Sequence, residues 1–569
     1  MVTTRREKIA ILLVVVVAAS GVAGAMGAQA TADESAVATA AQGGATAHDA
    51  GGATAQGGEQ AAESACAAEP PSDGSDPDED AIGWEDGYWY DESLDVNESG
   101  GLSDDELEAV VARTTARVEA VRCIEFEGSV PVSVISRDEL RERQFFGEVT
   151  PELRTFDNAK FEAMFLVGEG TDAIEVQNQN AGGSVLGFYS PEADEIVVVA
   201  ESADDLRIGE LTLAHELVHA WQDRTHNLSG DHLSPRLRDD ANARNGLVEG
   251  DASYTESLYE QRCSEEWECL DAPAGPSGDL ANMGVYFLNF QPYSDGPRFV
   301  QFVRNVGGWD AVDALYEDPP ESTEQVIHPE KYGTDSPTNV SLDDAATDEW
   351  TRVNPRDRPG YAELGESALM SMFVYPYYDS QGRTEIVPTV DWLNFNETGE
   401  VGDFDPLSYQ SNYSTGWDGD RLHAYRNDDD ELGYVWRLAW DSPQDARQFV
   451  EGYRQVLDYW GAEEVGPNTY RVPGGEFADA FHVEVEGTTV TITNAPTVEE
   501  LSEVRTDVDV SAAEAEPNET AGDDAGTATE TATETDDAAD SATIEVEANE
   551  TATNETTASE AVGQELAAS

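Results

Sequence analysis

The segment 215–219, His-Glu-Leu-Val-His, is the part of the chain whose residue types and spacing point most directly to chemistry. In an α-helix, residues four apart lie one turn apart on the same face, so both imidazoles can face one metal ion. Glu216 lies between them, placed to take a proton from water rather than to bind the metal. Because the chain has only 8 histidines in 569 residues, chance would produce this pattern roughly 0.01 times.

A zinc ion that hydrolyses a substrate needs a third protein ligand and a fourth position open to water. The longer, all-histidine form of the motif is excluded, because Gln222 and Thr225 stand where its glycine and third histidine would follow. The third ligand must therefore come from further along the chain. The downstream candidates are His226, His232, Asp239, Asp240, Glu249, Asp251 and Glu256.

Glu249 is the candidate that the surrounding residues favour. The stretch 239–260 has helical composition, and a second helix packed against the first would present Glu249 to the metal. The spacing alone fits a solvated acid on a helix surface equally well. We expect Asp251 or Asp240 to hydrogen-bond a ligand histidine and fix its tautomer. The small residues expected to let the two helices approach closely are Gly246, Gly250 and Ala252.

The motifs HELVHAWQD and, downstream, LVEGDA resemble a family of secreted zinc metallopeptidases found in bacteria and haloarchaea. These peptidases are of the gluzincin kind, which combines HExxH with a distant glutamate. The similarity extends to GFYSP before the first motif, to the segment 319–332 and to GWDGDR at 416–421, and so covers most of 82–500.

The resemblance implies a ligand set and a catalytic group. Residues His215, His219 and Glu249 resemble the ligands of one Zn²⁺ ion, and Glu216 resembles the catalytic base. Because the family is defined mainly by its motifs, its substrates do not transfer to this chain. The choice of zinc rests on the ligand types, and a related divalent ion is the alternative.

A peptidase also needs a hydrogen-bond donor for the oxyanion that forms when water attacks the carbonyl group. His328 is our candidate for this catalytic role, because it lies in a proline-bounded loop after the zinc helices. Tyr332 and Tyr254 are the alternatives, and a turn residue with local hydrogen bonds is the plainer interpretation of His328. Lys331 is expected to form a structural ion pair instead.

A β-hairpin is predicted just before the HExxH helix. Residues 185–189 and 196–200 read as strands around a turn at 190–194. In a zincin architecture an edge strand lies above the active-site helix, and an extended peptide can add to it through main-chain hydrogen bonds. Either strand is a candidate for this role, although any core hairpin would show the same pattern.

The charge of the chain excludes one class of partner. It has 116 acidic and 31 basic side chains, for a formal net charge of −85. A nucleic-acid-binding protein needs a basic surface, so nucleic acid is excluded as a partner. Lysine occurs only at positions 8, 160 and 331. Such a surface stays hydrated in molar salt, where self-repulsion is screened, and is typical of a halophilic protein.

Composition divides the chain into five parts. Residues 1–30 read as a signal peptide, 31–81 as a disordered acidic linker, and 501–569 as a disordered tail rich in Thr and Glu. Between them we predict a metallopeptidase domain at 82–375 and a small α+β domain at 376–500. The sequence predicts a secreted or cell-surface glycoprotein, and an uncleaved N-terminal segment would attach it to the membrane.

Four cysteines support this extracellular assignment. An even number of cysteines in an exported chain favours disulfides, and Cys263 with Cys269 can close a short loop. Cys66 and Cys123 complete the set. No Cys-x-x-Cys pair exists, which argues against metal binding by cysteine.

Together these observations predict an α+β fold with a zincin-like metallopeptidase core, mainly helical surroundings and a small C-terminal α+β unit. The expected function is that of a secreted zinc-dependent peptidase, which cleaves peptide or protein substrates through a metal-activated water. Two alternatives remain: a zinc-dependent amidase that acts on cell-envelope material, and a non-catalytic surface protein with a structural metal site. The residues leave the oligomeric state open.

Overall fold

The fold combines helices and strands in a mixed α+β arrangement. The signal segment 1–30 and most of both predicted tails lie outside the described residues. Within the part of the chain that is described, no helix is both long enough and apolar enough to cross a bilayer. The computed structural model describes residues 66–96, 101–142, 149–200, 207–271, 280–356, 358–396 and 398–511.

The α-helices are numbered here in chain order, and short 3₁₀ helices lie at Asp231–Leu233 and Pro329–Lys331. The α-helices are α1 Asp104–Arg122, α2 Arg137–Glu142, α3 Pro151–Ala163, α4 Ala173–Ser184, α5 Glu210–His226, α6 Arg238–Glu265, α7 Met283–Gly307, α8 Trp309–Ala314, α9 Thr323–Ile327, α10 Glu366–Asp379, α11 Thr389–Trp392, α12 Pro443–Tyr459 and α13 Leu501–Val504.

The strands form three sheets. A small sheet pairs β1 with β2; a second has the order β3-β5-β4; and a larger antiparallel sheet of seven strands has the order β6-β7-β8-β12-β11-β10-β9. The strands are β1 Trp84–Glu85, β2 Tyr88–Trp89, β3 Val132–Ser136, β4 Gly187–Ser190, β5 Glu195–Ala200, β6 Thr351–Arg352, β7 Trp417–Arg426, β8 Leu432–Trp440, β9 Glu463–Gly466, β10 Thr469–Arg471, β11 Ala480–Glu486 and β12 Thr489–Ala495.

Local sequence signals explain where several elements begin. Ser103 caps α1 by accepting a hydrogen bond from the Glu106 backbone N–H, and the Glu106 carboxylate accepts one in return from the Ser103 N–H. Ser442 caps α12 by accepting from the N–H groups of Gln444 and Asp445. The predicted hairpin before the HExxH helix is confirmed as β4 and β5, which pair antiparallel.

Three buried arginines on α1 hold the two helices of the HExxH region in place. Arg113 and Arg117 form salt bridges with Glu210 at the start of α5, at 2.7 and 3.1 Å. Arg122 binds Asp251 on α6 at 2.7 Å. All of these side chains are almost completely buried, so loss of one partner would leave an uncompensated charge in the interior.

The close helix contact expected around Gly246 and Gly250 exists, but with a different partner. A Cβ atom at Gly250 would lie 2.5 Å from the backbone of Gly296 on α7, and one at Gly246 would meet Val326 on α9. The prediction that these glycines face the HExxH helix is therefore wrong. Only Ala252 packs in the apolar cluster that contains Leu213 and Leu217 of α5, because it lies on a different face of α6 from the two glycines.

The seven-stranded sheet shares its main core with helices from both sides of the predicted domain boundary. Phe449 and Tyr453 of α12 pack in the same apolar cluster as Phe161 of α3 and Phe287 of α7. Helix α10 runs across position 375, where the sequence divided the two domains. The division itself stays a prediction.

The structure contains two disulfides, Cys66–Cys123 and Cys263–Cys269. Both are compatible with an extracellular protein. The first joins α1 to residues 66–81, which the sequence assigned to the linker. This short segment also accepts a hydrogen bond at the Ser75 carbonyl from the Trp89 indole, so it is tied to the folded part of the chain.

The contact between Gly250 and Gly296 predicts that Gly250→Ala lowers the free energy of unfolding by about 1–3 kcal/mol, because α6 and α7 must separate to admit the methyl group. Urea denaturation in molar KCl measures this. Gly474→Ala is the matched control, because nothing lies within 4 Å of its added Cβ. Equal stability of the two variants would contradict the prediction.

Candidate metal centre

His215, His219 and Glu249 converge on one point in the interior. The Nε2 atoms of the two histidines lie 3.3 and 3.2 Å from the same carboxylate oxygen of Glu249, Oε2. Each of the three residues exposes only 1% of its surface. Ligand atoms 2.0–2.1 Å from a tetrahedral zinc ion are about 3.3 Å apart, so the observed separations suit such an ion.

The other ring nitrogen of each histidine is held by a hydrogen-bond acceptor. Nδ1 of His215 donates to Glu256 on α6 at 3.1 Å, and Nδ1 of His219 donates to the amide oxygen of Gln222 at 2.8 Å. Because both acceptors take the Nδ1 proton, Nε2 is the nitrogen left to bind a cation. Nε2 of His219 lacks a partner with hydrogen-bond geometry among the described residues, as expected of a metal ligand.

The prediction that Asp251 or Asp240 hydrogen-bonds a ligand histidine is wrong. Asp251 contacts a ligand histidine only indirectly. It binds Arg122 and accepts from Gln222 Nε2 at 3.5 Å, and Gln222 in turn binds His219. Asp240 accepts from the backbone N–H of Arg236 near the start of α6. Both aspartates lie on faces of α6 that point away from the imidazoles.

Because His215, His219 and Glu249 are buried, burial disfavours a charge on each of them. Burial alone would raise the pKa of Glu249, but the imidazoles of His219 and His215 lower it to about 2. Burial likewise opposes a charge on His215, yet its bonds to Glu249 and Glu256 raise its pKa to about 10. The imidazoles therefore stabilise the ionised carboxylate, and a divalent cation bound to their Nε2 atoms can supply positive charge at the same place.

Glu216 has the environment of a proton acceptor rather than of a ligand. Its side chain is buried, and neither carboxylate oxygen has a partner with normal hydrogen-bond geometry among the described residues. Burial raises its pKa to about 7, against the opposing effect of the charges on His219 and His215. The Tyr189 backbone N–H also favours the ionised form, although it does not reach hydrogen-bond geometry.

Strand β4 is the edge of the three-stranded sheet and lies against Glu216. A Cβ atom at Gly187 would be 3.8 Å from Glu216 Oε1. The Val199 N–H donates to the Leu186 carbonyl, and Gly187 lies opposite Val198. By the alternation of an antiparallel pair, the backbone groups of Gly187 point away from β5. Of the two predicted candidate strands, the one that contains residues 187–189 is thus the edge, and β5 is central.

The candidate oxyanion donors are not part of the histidine–carboxylate group. His328 donates from Nε2 to Glu366 at 3.0 Å, and this carboxylate raises its pKa although burial acts in the opposite direction. The Tyr332 hydroxyl donates to the Asp318 carbonyl, and the Tyr254 hydroxyl accepts from Arg304. The structure thus gives each candidate a partner elsewhere, and the role of His328 stays a prediction.

Lys331 forms the structural ion pair that the sequence predicts, with Glu324 at 2.5 Å and Asp441 at 2.9 Å. It therefore does not serve the metal centre.

Glu256 is among the possible third ligands in the sequence, but its contact with the His215 ring was not predicted. A signal for it exists, because Glu256 follows Glu249 by seven residues and so lies two turns along the same face of α6. Gln222 is similarly three residues after His219 on α5. From the sequence, Gln222 was considered only as the residue that replaces the glycine of the longer motif.

Comparison with known proteins concerns the C-terminal part of the chain. Residues 351–505 match the model of a family described as a domain of unknown function, DUF8575. This stretch contains all seven strands of the large sheet and none of the residues of the metal centre. No curated protein matches the chain, and no solved structure matches it.

The contact between Glu256 and His215 predicts that Glu256→Ala weakens zinc binding about 10–100-fold, because the imidazole loses the acceptor that fixes its orientation. Competition with a chromogenic chelator measures the affinity. Glu260→Ala is the matched control: it removes the same charge one turn further along α6, from a residue that forms no hydrogen bond to either histidine within the described ranges. Equal zinc affinity of both variants would rule out the orienting role.

Proposed function

We propose that this protein is a secreted or cell-surface zinc-dependent peptidase of the gluzincin kind with a zincin-like core. The observation that carries the proposal is the convergence of two Nε2 atoms on the carboxylate of Glu249, beside a buried and unpartnered Glu216. A structural zinc site is normally closed by four protein ligands, and it has no use for an additional free carboxylate at this position.

His215, His219 and Glu249 would hold the ion, which when bound supplies Lewis-acid activation of a water molecule and of the scissile carbonyl group. Glu216 accepts the proton of the attacking water and returns it to the leaving amine. Its carboxylate is buried beside the ligands and has no hydrogen-bond partner among the described residues, so it is free to gain and lose a proton in one catalytic cycle. Glu256 and Gln222 keep the imidazoles oriented throughout.

The edge strand β4 supports a peptide as the substrate class. Its outward-facing backbone groups at Gly187 and Tyr189 can pair with an extended chain, which would then lie beside Glu216. Such pairing uses main-chain groups alone, so it selects an extended peptide without fixing which side chains flank the cleaved bond.

Two other functions remain as alternatives. A zinc-dependent amidase acting on cell-envelope material would use the same residues, and the contacts described above do not separate it from a peptidase. A non-catalytic protein with a structural metal is favoured by one observation: each ligand exposes only 1% of its surface. The free carboxylate of Glu216 opposes this alternative.

The proposal predicts that Glu216→Gln keeps stoichiometric zinc but lowers kcat roughly 10²–10⁴-fold, because the ligands remain while the proton acceptor is lost. Casein hydrolysis in molar salt, with metal analysis of the same samples, measures both quantities. His215→Ala is expected to lose zinc and activity together.

The controls separate the alternatives. Removal of zinc with a chelator should abolish activity, and readdition should restore it. A wild-type protein that binds zinc but cleaves neither casein nor cell-envelope amides would contradict the hydrolase proposal and support a structural site. Cleavage of envelope amides without cleavage of casein would identify the amidase instead.

A further inference from the structure

A second group of acids, which we call the α3–β11 carboxylate group, consists of Glu162, Glu169 and Asp479. Glu162 lies at the end of α3, Glu169 in the loop that follows, and Asp479 immediately before β11. Each offers one carboxylate oxygen within 4.8 Å of the other two. Glu162 and Asp479 each expose only 3% of their surface, so two of the three carboxylates lie in the interior.

The described part of the chain supplies no basic partner to this group. Within the described ranges, no basic side chain forms a salt bridge with any of its three members. Burial raises the pKa of Glu162 well above its usual value, and the charges of Asp479 and Glu169 raise it further. The pKa of Glu169 rises to about 7 for the same reasons. Three carboxylates in contact are stable together only if protons or a cation neutralise them.

One atom of the group points to a missing ligand. Oε2 of Glu162 is buried and has no hydrogen-bond partner among the described residues. A buried carboxylate oxygen without a donor is costly, because it has lost its water and received nothing in return. Asp479 accepts one hydrogen bond from an amide, that of Asn494 at 2.7 Å, and its other side-chain contacts are with the carboxyl groups of Glu162 and Glu169.

A cleft gives solvent and ions access to the group. Its volume is about 640 Å³, and it is lined by four acids, Glu169, Asp479, Asp430 and Glu431, and by one basic residue, Arg426, which pairs with Asp430 at 3.5 Å. The negative wall raises the local concentration of cations. A hydrated ion can enter from this side and keep some of its water while the carboxylates bind it.

We propose that Glu162, Glu169 and Asp479 bind a hard divalent cation, Ca²⁺, which fastens α3 and the following loop to the large sheet. The donors are all carboxylate oxygens, the type that Ca²⁺ prefers, whereas zinc favours the imidazoles of the other centre. Ca²⁺ accepts irregular geometry, while Mg²⁺ demands a near-ideal octahedron. The Glu169 N–H also donates to the Glu476 carbonyl at 3.1 Å, so the two segments already meet here.

A second cluster of three acids, elsewhere in the fold, is neutralised by a lysine of the chain itself. Glu324, Asp335 and Asp441 also converge within 4.8 Å of one another. Lys331 lies among them, with its Nζ atom 2.5, 3.1 and 2.9 Å from their oxygens. Here the chain provides an ammonium group, so this group has no need of an external ion. It is a natural control within the same molecule.

The test is Ca²⁺ titration of the full-length protein after dialysis against EGTA, by calorimetry in molar KCl, which screens diffuse binding to the acidic surface. The wild type and the control Asp335→Asn should bind Ca²⁺, and Ca²⁺ should raise Tm in both. Glu169→Gln should weaken this binding about tenfold or more and lose the rise in Tm, because one charged ligand is gone. The readout is independent of hydrolase activity.

Two further measurements keep the result decisive. Because Glu169 is exposed, the Glu169→Gln variant should fold, and circular dichroism checks this. Asp479→Asn is a second variant that removes another of the three carboxylates. Without Ca²⁺, both variants should be at least as stable as the wild type, since each removes repulsion. Equal Ca²⁺ binding by the wild type and both variants would overturn the proposal. So would a wild type whose Tm rises on acidification but does not respond to Ca²⁺, because shared protons would then neutralise the group.

Discussion

The burial of the Glu249 carboxylate between two imidazoles is the constraint on which the centre of this structure depends. A carboxylate in the interior has lost its hydration, and only nearby positive charge and hydrogen bonds offset that loss. His215 and His219 supply both, since their Nε2 atoms lie 3.3 and 3.2 Å from Glu249 Oε2 and the imidazoles lower the pKa of this carboxyl group. The surrounding contacts can be understood as the means of holding these three side chains together.

The supporting contacts form a continuous chain of buried polar groups. Gln222 binds His219 and reaches Asp251, which in turn binds Arg122 of α1. At the start of α5, Glu210 is held by two more arginines of the same helix. Helix α1 carries none of the three candidate ligands, yet it fixes the positions of both helices that do. The accuracy of the centre therefore depends on a third helix.

Acidic side chains have two separate roles in this chain. Most lie on the surface, where a net charge of −85 favours hydration in concentrated salt. A smaller number are buried in groups, and each group must be neutralised. The imidazoles neutralise Glu249, arginines neutralise Glu210 and Asp251, and Lys331 neutralises another group. Of the three clusters in the described ranges that could hold a cation, the α3–β11 carboxylate group is the one without a basic partner, which is why it stands out.

The sequence by itself determined what depends on local periodicity. The helical repeat alone places His215 and His219 on one face, and alternation with a turn alone predicts the β4–β5 hairpin. Glu249 could be selected because a second helix was expected to face the first. Only the tertiary structure decided which acid orients His215, which helix meets Gly250, and that His328 pairs with Glu366. These partners are far apart in the chain, or lie on a helix whose rotation is set by packing on α1 and α7. The rotation of a helix about its axis follows from all of its contacts together, and no local pattern of residues contains that information.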